Sequence, residues 1–211
     1  MAELAWNLPG ERRFETGVSR GVLYPKVGPA VPWNGLVSVA STLEGSDLEA
    51  FYFDGVKYAD FMGAEEFKAS VEAYTAPPEF DICQGIREMS PGLSISQQPR
   101  ATFGFSYQTL MGNELVGSDV GYKIHLVWGC TAASAGRAYS TVAASVTAST
   151  RSWSFDTVPQ FLNNARASSH LVIDSTRFDQ AKLEFLESVL YGSAEIEPQL
   201  PSLSDILEYF S

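Results

Sequence analysis

Basic residues, cysteine and histidine are scarce in this sequence, and it contains no long apolar run. Against 25 acidic residues stand 14 Lys and Arg, for a net charge of -11 and an isoelectric point near 4.6. Affinity for a phosphate backbone is carried by Lys and Arg, so tight non-specific attachment to nucleic acid is excluded. A polyanion could still slide past such a chain, because fixed carboxylates give it no binding well. No stretch approaches the length of a membrane span. The opening MAELAWNLPGERRFE has neither the basic start nor the apolar run of a secretory leader. The expectation is therefore a chain that is made in a cytoplasm and stays soluble.

Cys83 and Cys130 form no metal-type pair and read as reduced core thiols. The two histidines, His125 and His170, stand in strand-like runs with no carboxylate or cysteine at ligand spacing. No P-loop, dinucleotide fingerprint or nucleophile elbow occurs. Acid pairs such as Glu65-Glu66 and Asp47/Glu49 carry little specificity in so acidic a chain. Catalysis, a cofactor and a bound metal are not expected.

What is present points to strands. The 211 residues suffice for one core without staples. They are 45% hydrophobic, 12% aromatic and 18% charged, which argues against general disorder. Residues 1–35 combine Pro9, Pro25, Pro29 and Pro32 with Trp6, Phe14, Tyr24 and Trp33. Proline removes ladder donors, so this segment is expected as an extended N-terminal arm that docks on something, outside the sheet.

The sheet domain is expected over 36–192. Leu36 to Glu44 sets Val37, Val39 and Leu43 opposite Ser38, Ala40, Thr42 and Glu44. Asp54-Gly55 between two aromatic runs predicts a tight hairpin. Phe67 to Tyr74 alternates again, with Lys68, Ser70 and Glu72 on the polar side. Residues 79–99 read as an irregular connection. Ala101 to Thr109 sets Phe103, Phe105 and Tyr107 against Ser106 and Gln108, and a glycine-rich loop follows before Tyr122 to Trp128. Two β-like runs are expected in 138–158, and a short strand at His170 to Ile173.

A helix is predicted over 178–191, with Thr176 and Asp179 at capping spacing and Gly192 as its stop. Residues 193–211 form a tail, with a short helix over Leu203 to Phe210 docking on the domain or on a neighbour. The fold class is mainly β: a β-sandwich or partly open barrel with one packed helix. Its free strand edges invite association.

Several stretches resemble the major tail tube proteins of siphophages, the long-tailed non-contractile bacteriophages, and most of all those of actinobacteria. They are GERRFETGVSRGVLYP (10–25), VPWNGL (31–36), FYFDGVKYADF (51–61), EAYTAPPEFDICQG (72–85), ATFGFSYQTLMGNELVGSDVGYKIHLVWG (101–129) and HLVIDS (170–175) with the helix and LYG (190–192) after it. They run in family order over nearly the whole chain. None is a catalytic motif.

The resemblance implies a tail-tube fold whose subunits form hexameric rings, stacked around a tape measure protein and ended by tail terminator and distal tail proteins. It implies a place in the virion tail after assembly in the host cytoplasm, with phage DNA passing through without specific binding. It makes Trp6, Arg12, Arg13, Phe14, Arg20, Tyr24, Trp33, Asp54, Gly55 and Lys57 candidates for contacts between subunits. The polar strand faces offer Thr42, Glu44, Lys68, Ser70, Glu72, Ser106 and Gln108 as candidates for the channel lining. Two other classes remain open. One is a low-copy tail-tip module that binds a receptor or sugar. The other is a β-sandwich hydrolase, in which Glu44 or Glu72 would be needed for turnover.

Overall fold

The computed structural model describes residues 4, 6–45, 49–61, 63–133, 136, 141, 148–162 and 165–210. Asp47, Leu48 and most of the first β-like run expected in 138–158 lie outside them. The first half of the chain forms β1 (Arg13–Pro25), β2 (Val31–Pro32), β3 (Leu36–Glu44), β4 (Glu49–Phe53), β5 (Val56–Phe61) and β6 (Glu66–Ala73). The second half forms β7 (Arg87–Ser90), β8 (Leu93–Ile95), β9 (Phe103–Asn113), β10 (Gly117–Ala132), β11 (Arg151–Thr157) and β12 (His170–Asp174), then helices α1 (Gln180–Tyr191) and α2 (Leu203–Phe210). The fold is mainly β, as expected, and every described strand pair is antiparallel.

Eight strands make one sheet in the order β2-β1-β9-β10-β11-β6-β3, with β12 also on β10. Its two ends are the neighbouring strands β2 and β3, so the chain crossing from one to the other draws the sheet round on itself. The Trp33 N–H donates to Gly21 O at 2.8 Å on the β1 side, and the Tyr74 N–H donates to Gly35 O at 2.9 Å on the β6 side. The barrel is closed there. Beyond that point no ladder joins β1 to β3 among the described residues.

Curling the sheet buries one face inside. Trp33, Phe80, Phe103, Phe105, Trp153 and Phe155 fill this interior with edge-on and tilted ring contacts. Phe80 sits on a single 3-10 turn, Pro78–Phe80, and inserts between Trp33, Phe103 and Trp153 as a plug. The Trp153 indole N–H donates to Gln84 Oε1 at 2.9 Å, which satisfies its one polar atom.

A second core lies on the outside of β1, β9, β10 and β12, where Leu183, Leu186 and Leu190 of α1 and Leu203 and Ile206 of α2 cover Ile124, Leu126, Trp128 and Ile173. The α1 helix is capped by Asp179 itself, whose carboxylate accepts from the Lys182 N–H at 3.0 Å. Thr176 instead turns back to Asp174. This corrects the capping role expected of Thr176, while Gly192 does end the helix.

Three further expectations are corrected. Residues 1–35 are not an arm throughout, since Arg13–Pro25 is a full strand lying between β2 and β9. No proline falls between Arg13 and Tyr24, so its ladder donors are intact. The glycine-rich loop expected after Thr109 is largely strand, because glycine is what lets the hairpin limbs approach. A Cβ on Gly112 would lie 2.2 Å from Gly117 O. The connection 79–99 carries the hairpin β7–β8 as well as the helical turn.

The hairpin β4–β5 forms as predicted, with Phe53 paired to Val56 around Asp54-Gly55. Asp54 has φ 48° and Gly55 φ 77°, the mirror-turn geometry that matches strand twist. Gly55→Val should strain this turn by about 1–2 kcal/mol. Amide exchange across 49–61 should then accelerate roughly tenfold while the global melting temperature stays put. A global melting shift instead would mean that the hairpin is integral to the barrel.

Candidate assembly surfaces

Among the described residues, three surfaces stand open to solvent. The first is the seam where the barrel parts. Among the described residues, no strand pairs with the outer edge of β3 over Val37–Glu44, nor with that of β1 over Arg13–Arg20. Such edges present rows of backbone donors and acceptors. A groove of about 630 Å³ opens at the head of the seam, walled by Val18, Val22, Val31, Leu36 and Tyr191 with Arg20 beside it. Arg20 holds φ 47°, a conformation that costs a non-glycine residue free energy. Its guanidinium lies 5.8 Å from the Tyr191 ring centre and 3.9 Å from Glu187 Oε2, at the limit of an ion pair.

The second surface is the outer face of β3, β6 and β11. Strand alternation turns Phe67, Ala69, Val71, Trp153 and Phe155 inward, so the opposite positions face solvent. Register sets Ser38 and Ser152 beside Glu72, Ala40 and Ser154 beside Ser70, and Thr42 and Asp156 beside Lys68, with Glu44 opposite Glu66. The face is small, polar and acidic, with four carboxylates around one ammonium and the exposed Tyr74 just past the end of β6. Lys68 Nζ reaches Glu44 Oε2 at 2.6 Å and Asp156 Oδ1 at 3.9 Å. The hydrogen bond to Glu44 and the surrounding charges hold its pKa above the usual lysine range. Glu72 accepts from Thr150 Oγ1 at 2.5 Å and Ser38 Oγ at 3.3 Å. Thr42, Glu44, Lys68, Ser70 and Glu72 therefore share one solvent-facing sheet surface, as the alternation implied.

Ser106 and Gln108 do not join them. Both are buried under α1: the Ser106 hydroxyl meets Tyr24 Oη at 3.1 Å, and Gln108 Nε2 donates to Tyr191 Oη at 3.1 Å and Glu187 Oε1 at 3.4 Å. A channel-lining role for these two is corrected by the helix that covers them. Tyr24 and Trp33 are likewise interior. Tyr24 donates to Leu190 O at 2.9 Å and Trp33 Nε1 to Thr75 O at 2.9 Å, and neither presents a face to another subunit.

The third surface is the pair of solvated hairpin ends. On β4–β5, Tyr52, Phe53, Val56 and Tyr58 are 67–81% exposed, and Lys57 forms a 2.7 Å ion pair with Asp60. A two-stranded hairpin this apolar and this open has little to hold it in water alone. At the β9–β10 turn, Glu114 accepts the Gly10 N–H at 2.6 Å, and Asn113 Nδ2 donates to Gly10 O at 3.3 Å. These bonds fasten the chain just before β1. Trp6 is 76% exposed there, and Phe14, Arg12 and Arg13 are also solvent-facing.

One cluster escaped the sequence reading. Glu15, Thr109, Lys123, His125 and His170 come from β1, β9, β10 and β12 and meet in one hydrogen-bonded group. Cross-strand register brings them together, and no local spacing signals it. Among the described residues, no group of three or more His, Cys, Asp or Glu is arranged to hold a metal ion. No described helix is long and apolar enough to cross a membrane.

No family model matches the chain, and no curated protein matches it significantly.

Proposed function

We propose that this chain is a structural subunit that joins with copies of itself into hexameric rings and stacked tubes, as in siphophage tails, and that the tube conducts DNA. The observation that carries this reading is the open seam. Among the described residues β1 over Arg13–Arg20 and β3 over Val37–Glu44 have no partner on their outer edges, so a neighbouring copy can complete each edge by backbone hydrogen bonds. A contact between different surfaces closes into a ring when the rotation allows. The acidic face of β3, β6 and β11 adjoins that edge. Repeated round a ring it would line a channel whose fixed carboxylates repel phosphate and give a polyanion no binding well.

The exposed Tyr52, Phe53, Val56 and Tyr58 then supply the contact between one ring and the next, together with Trp6, Arg12, Arg13 and Phe14. The lumen would house the tape measure protein during assembly, and terminator and distal proteins would end the stack. The hydrolase alternative is disfavoured by spacing. Glu44 and Glu72 stand at opposite ends of the β3–β6 ladder, roughly 20 Å apart at the rise of a strand. Paired glycosidase carboxylates lie within about 10 Å.

The test is direct. Purified protein, concentrated and viewed by negative-stain microscopy, should show rings or tubes roughly 100 Å wide, the breadth expected of sheet layers packed around a channel. A chain that stays monomeric at high concentration, even with the tape measure protein added, would overturn the reading.

A further inference from the structure

Five side chains from four strands form one ordered chain of hydrogen bonds at the β10–β12 junction. The Lys123 ammonium and the Thr109 hydroxyl both donate to Glu15, the latter at 2.5 Å. A hydroxyl carries a single proton. With that proton directed to Glu15, Thr109 Oγ1 must accept from His125 Nε2, 3.0 Å away. His125 is thereby the Nε2–H tautomer, and its Nδ1 is a bare acceptor. His170 Nε2 lies 3.3 Å from that Nδ1 and must donate to it. The protons run in one direction, from His170 through His125 and Thr109 to Glu15. Both imidazoles are neutral in this arrangement.

Flat ring contacts hold the two imidazoles in place. Tyr107 of β9 stacks on His125 at 4.5 Å, and Phe67 of β6 stacks on His170 at 4.4 Å. His170 is the first residue of β12, whose only strand partner among the described residues is Lys123–Val127 of β10. The histidine bond and the Phe67 stack thus fasten the leading end of that short strand.

We propose that the His170–His125–Thr109–Glu15 chain is a clasp on β12 that mild acid releases. A proton added at His125 Nδ1 would set two N–H donors against each other across 3.3 Å, and the contact would be lost. A proton added to His170 would leave its Nε2–H donor in place but put a charge in a buried position, at a desolvation cost that opening relieves. The groups facing the pair are Glu15 from β1, Tyr107 from β9 and Lys123 from β10, while Asp174 of β12 is paired in register with Lys123. Glu15 favours an imidazolium, its Oε1 lying 3.5 Å from His125 Nε2, but that oxygen already accepts from Thr109 and the other from Lys123. Burial pushes His125 below the ordinary histidine range against that pull from Glu15, and burial with the neighbouring His125 pushes His170 down to about 4.

The direction of the pH effect follows. A group whose pKa is lower in the closed state binds fewer protons there, so opening becomes easier as pH falls. The clasp is at full strength above about pH 6.5, where free histidine is neutral, and weakens as pH drops towards 4. With His170 titrating normally when β12 is open and at about 4 when it is closed, opening should be about thirtyfold easier at pH 5 than at pH 7.5.

Hydrogen exchange of the full chain at pH 7.5 and 5, corrected for intrinsic rates, tests this. Amides of 123–127 and 170–174 should lose at least tenfold protection at pH 5 while the β1–β9 ladder keeps its own. In His170→Phe, which keeps a ring against Phe67 but cannot titrate, the loss should shrink to a few-fold. Equal protection at both pH values, or an undiminished loss in the variant, would overturn the proposal. Should that variant fail to fold, an NMR titration of the two parent imidazoles decides instead. Values well below 6 support the clasp, and ordinary values refute it.

Discussion

Trp153→Ala should remove about 3–5 kcal/mol of folding stability, the largest loss expected of any single change in this chain. The indole is 2% exposed and touches Trp33 at 5.6 Å and Phe80 at 5.7 Å between ring centres. Truncation would leave a cavity at the middle of the aromatic interior, and Gln84 Oε1 would lose the indole donor. Interiors are close-packed and collapse only partly round such a void. A domain of this size holds only about 5–15 kcal/mol in total. Urea unfolding should therefore show the midpoint falling sharply at unchanged slope, with the melting temperature lower by about 10 °C or more. Trp153→Phe should recover part of the loss, because it refills volume without restoring the hydrogen bond. A cost below about 1 kcal/mol for the alanine variant would mean that the aromatic interior around Phe80 is not what holds the barrel together.

The second large effect concerns assembly and leaves the fold alone. Replacing Phe53, Val56 and Tyr58 together by serine should abolish tubes at concentrations where the parent forms them. These side chains are 69%, 70% and 81% exposed in the single chain, so their loss should move the melting temperature little. Buried between rings, an aromatic anchor is worth about 2 kcal/mol or more. Loss of two such anchors together with Val56 should raise the concentration needed for assembly by at least about a hundredfold. Sedimentation of parent and variant over a dilution series reads this directly. If the variant melts like the parent and also assembles like it, the hairpin is not the axial contact and the proposed stacking fails there.

The parts of the fold that were legible in the sequence are those whose cause is local. Asp54-Gly55 encodes its own turn, since two successive residues with positive φ are cheap for few other pairs. Gly192 ends α1, and Ser202 with Asp205 opens α2, for equally local reasons. The β1 strand was hidden because prolines counted over residues 1–35 masked a run free of proline from Arg13 to Tyr24. Alternation at Phe103 to Gln108 correctly separated two faces, but alternation alone does not say what covers each. Ser106 and Gln108 are buried because α1, about 80 residues later, lies across them. The histidine clasp lay furthest out of reach. His125 and His170 are 45 positions apart and Glu15 and Lys123 are 108 apart, and only the register of β1, β9, β10 and β12 unites them.

The plug at Phe80 also bears on how the chain is made. Phe80 and Trp33 leave the ribosome well before Phe103, Trp153 and Phe155, the rings that enclose them. A nascent chain ending short of residue 153 lacks the two rings of β11, Trp153 and Phe155, that pack against Trp33, Phe80 and Phe103. Closure is thus an event of late translation, governed by contacts of long sequence separation and slow for that reason. Until it happens, sticky rings stand in the open, and a ribosome-associated chaperone has most to protect between the emergence of β6 and that of β11.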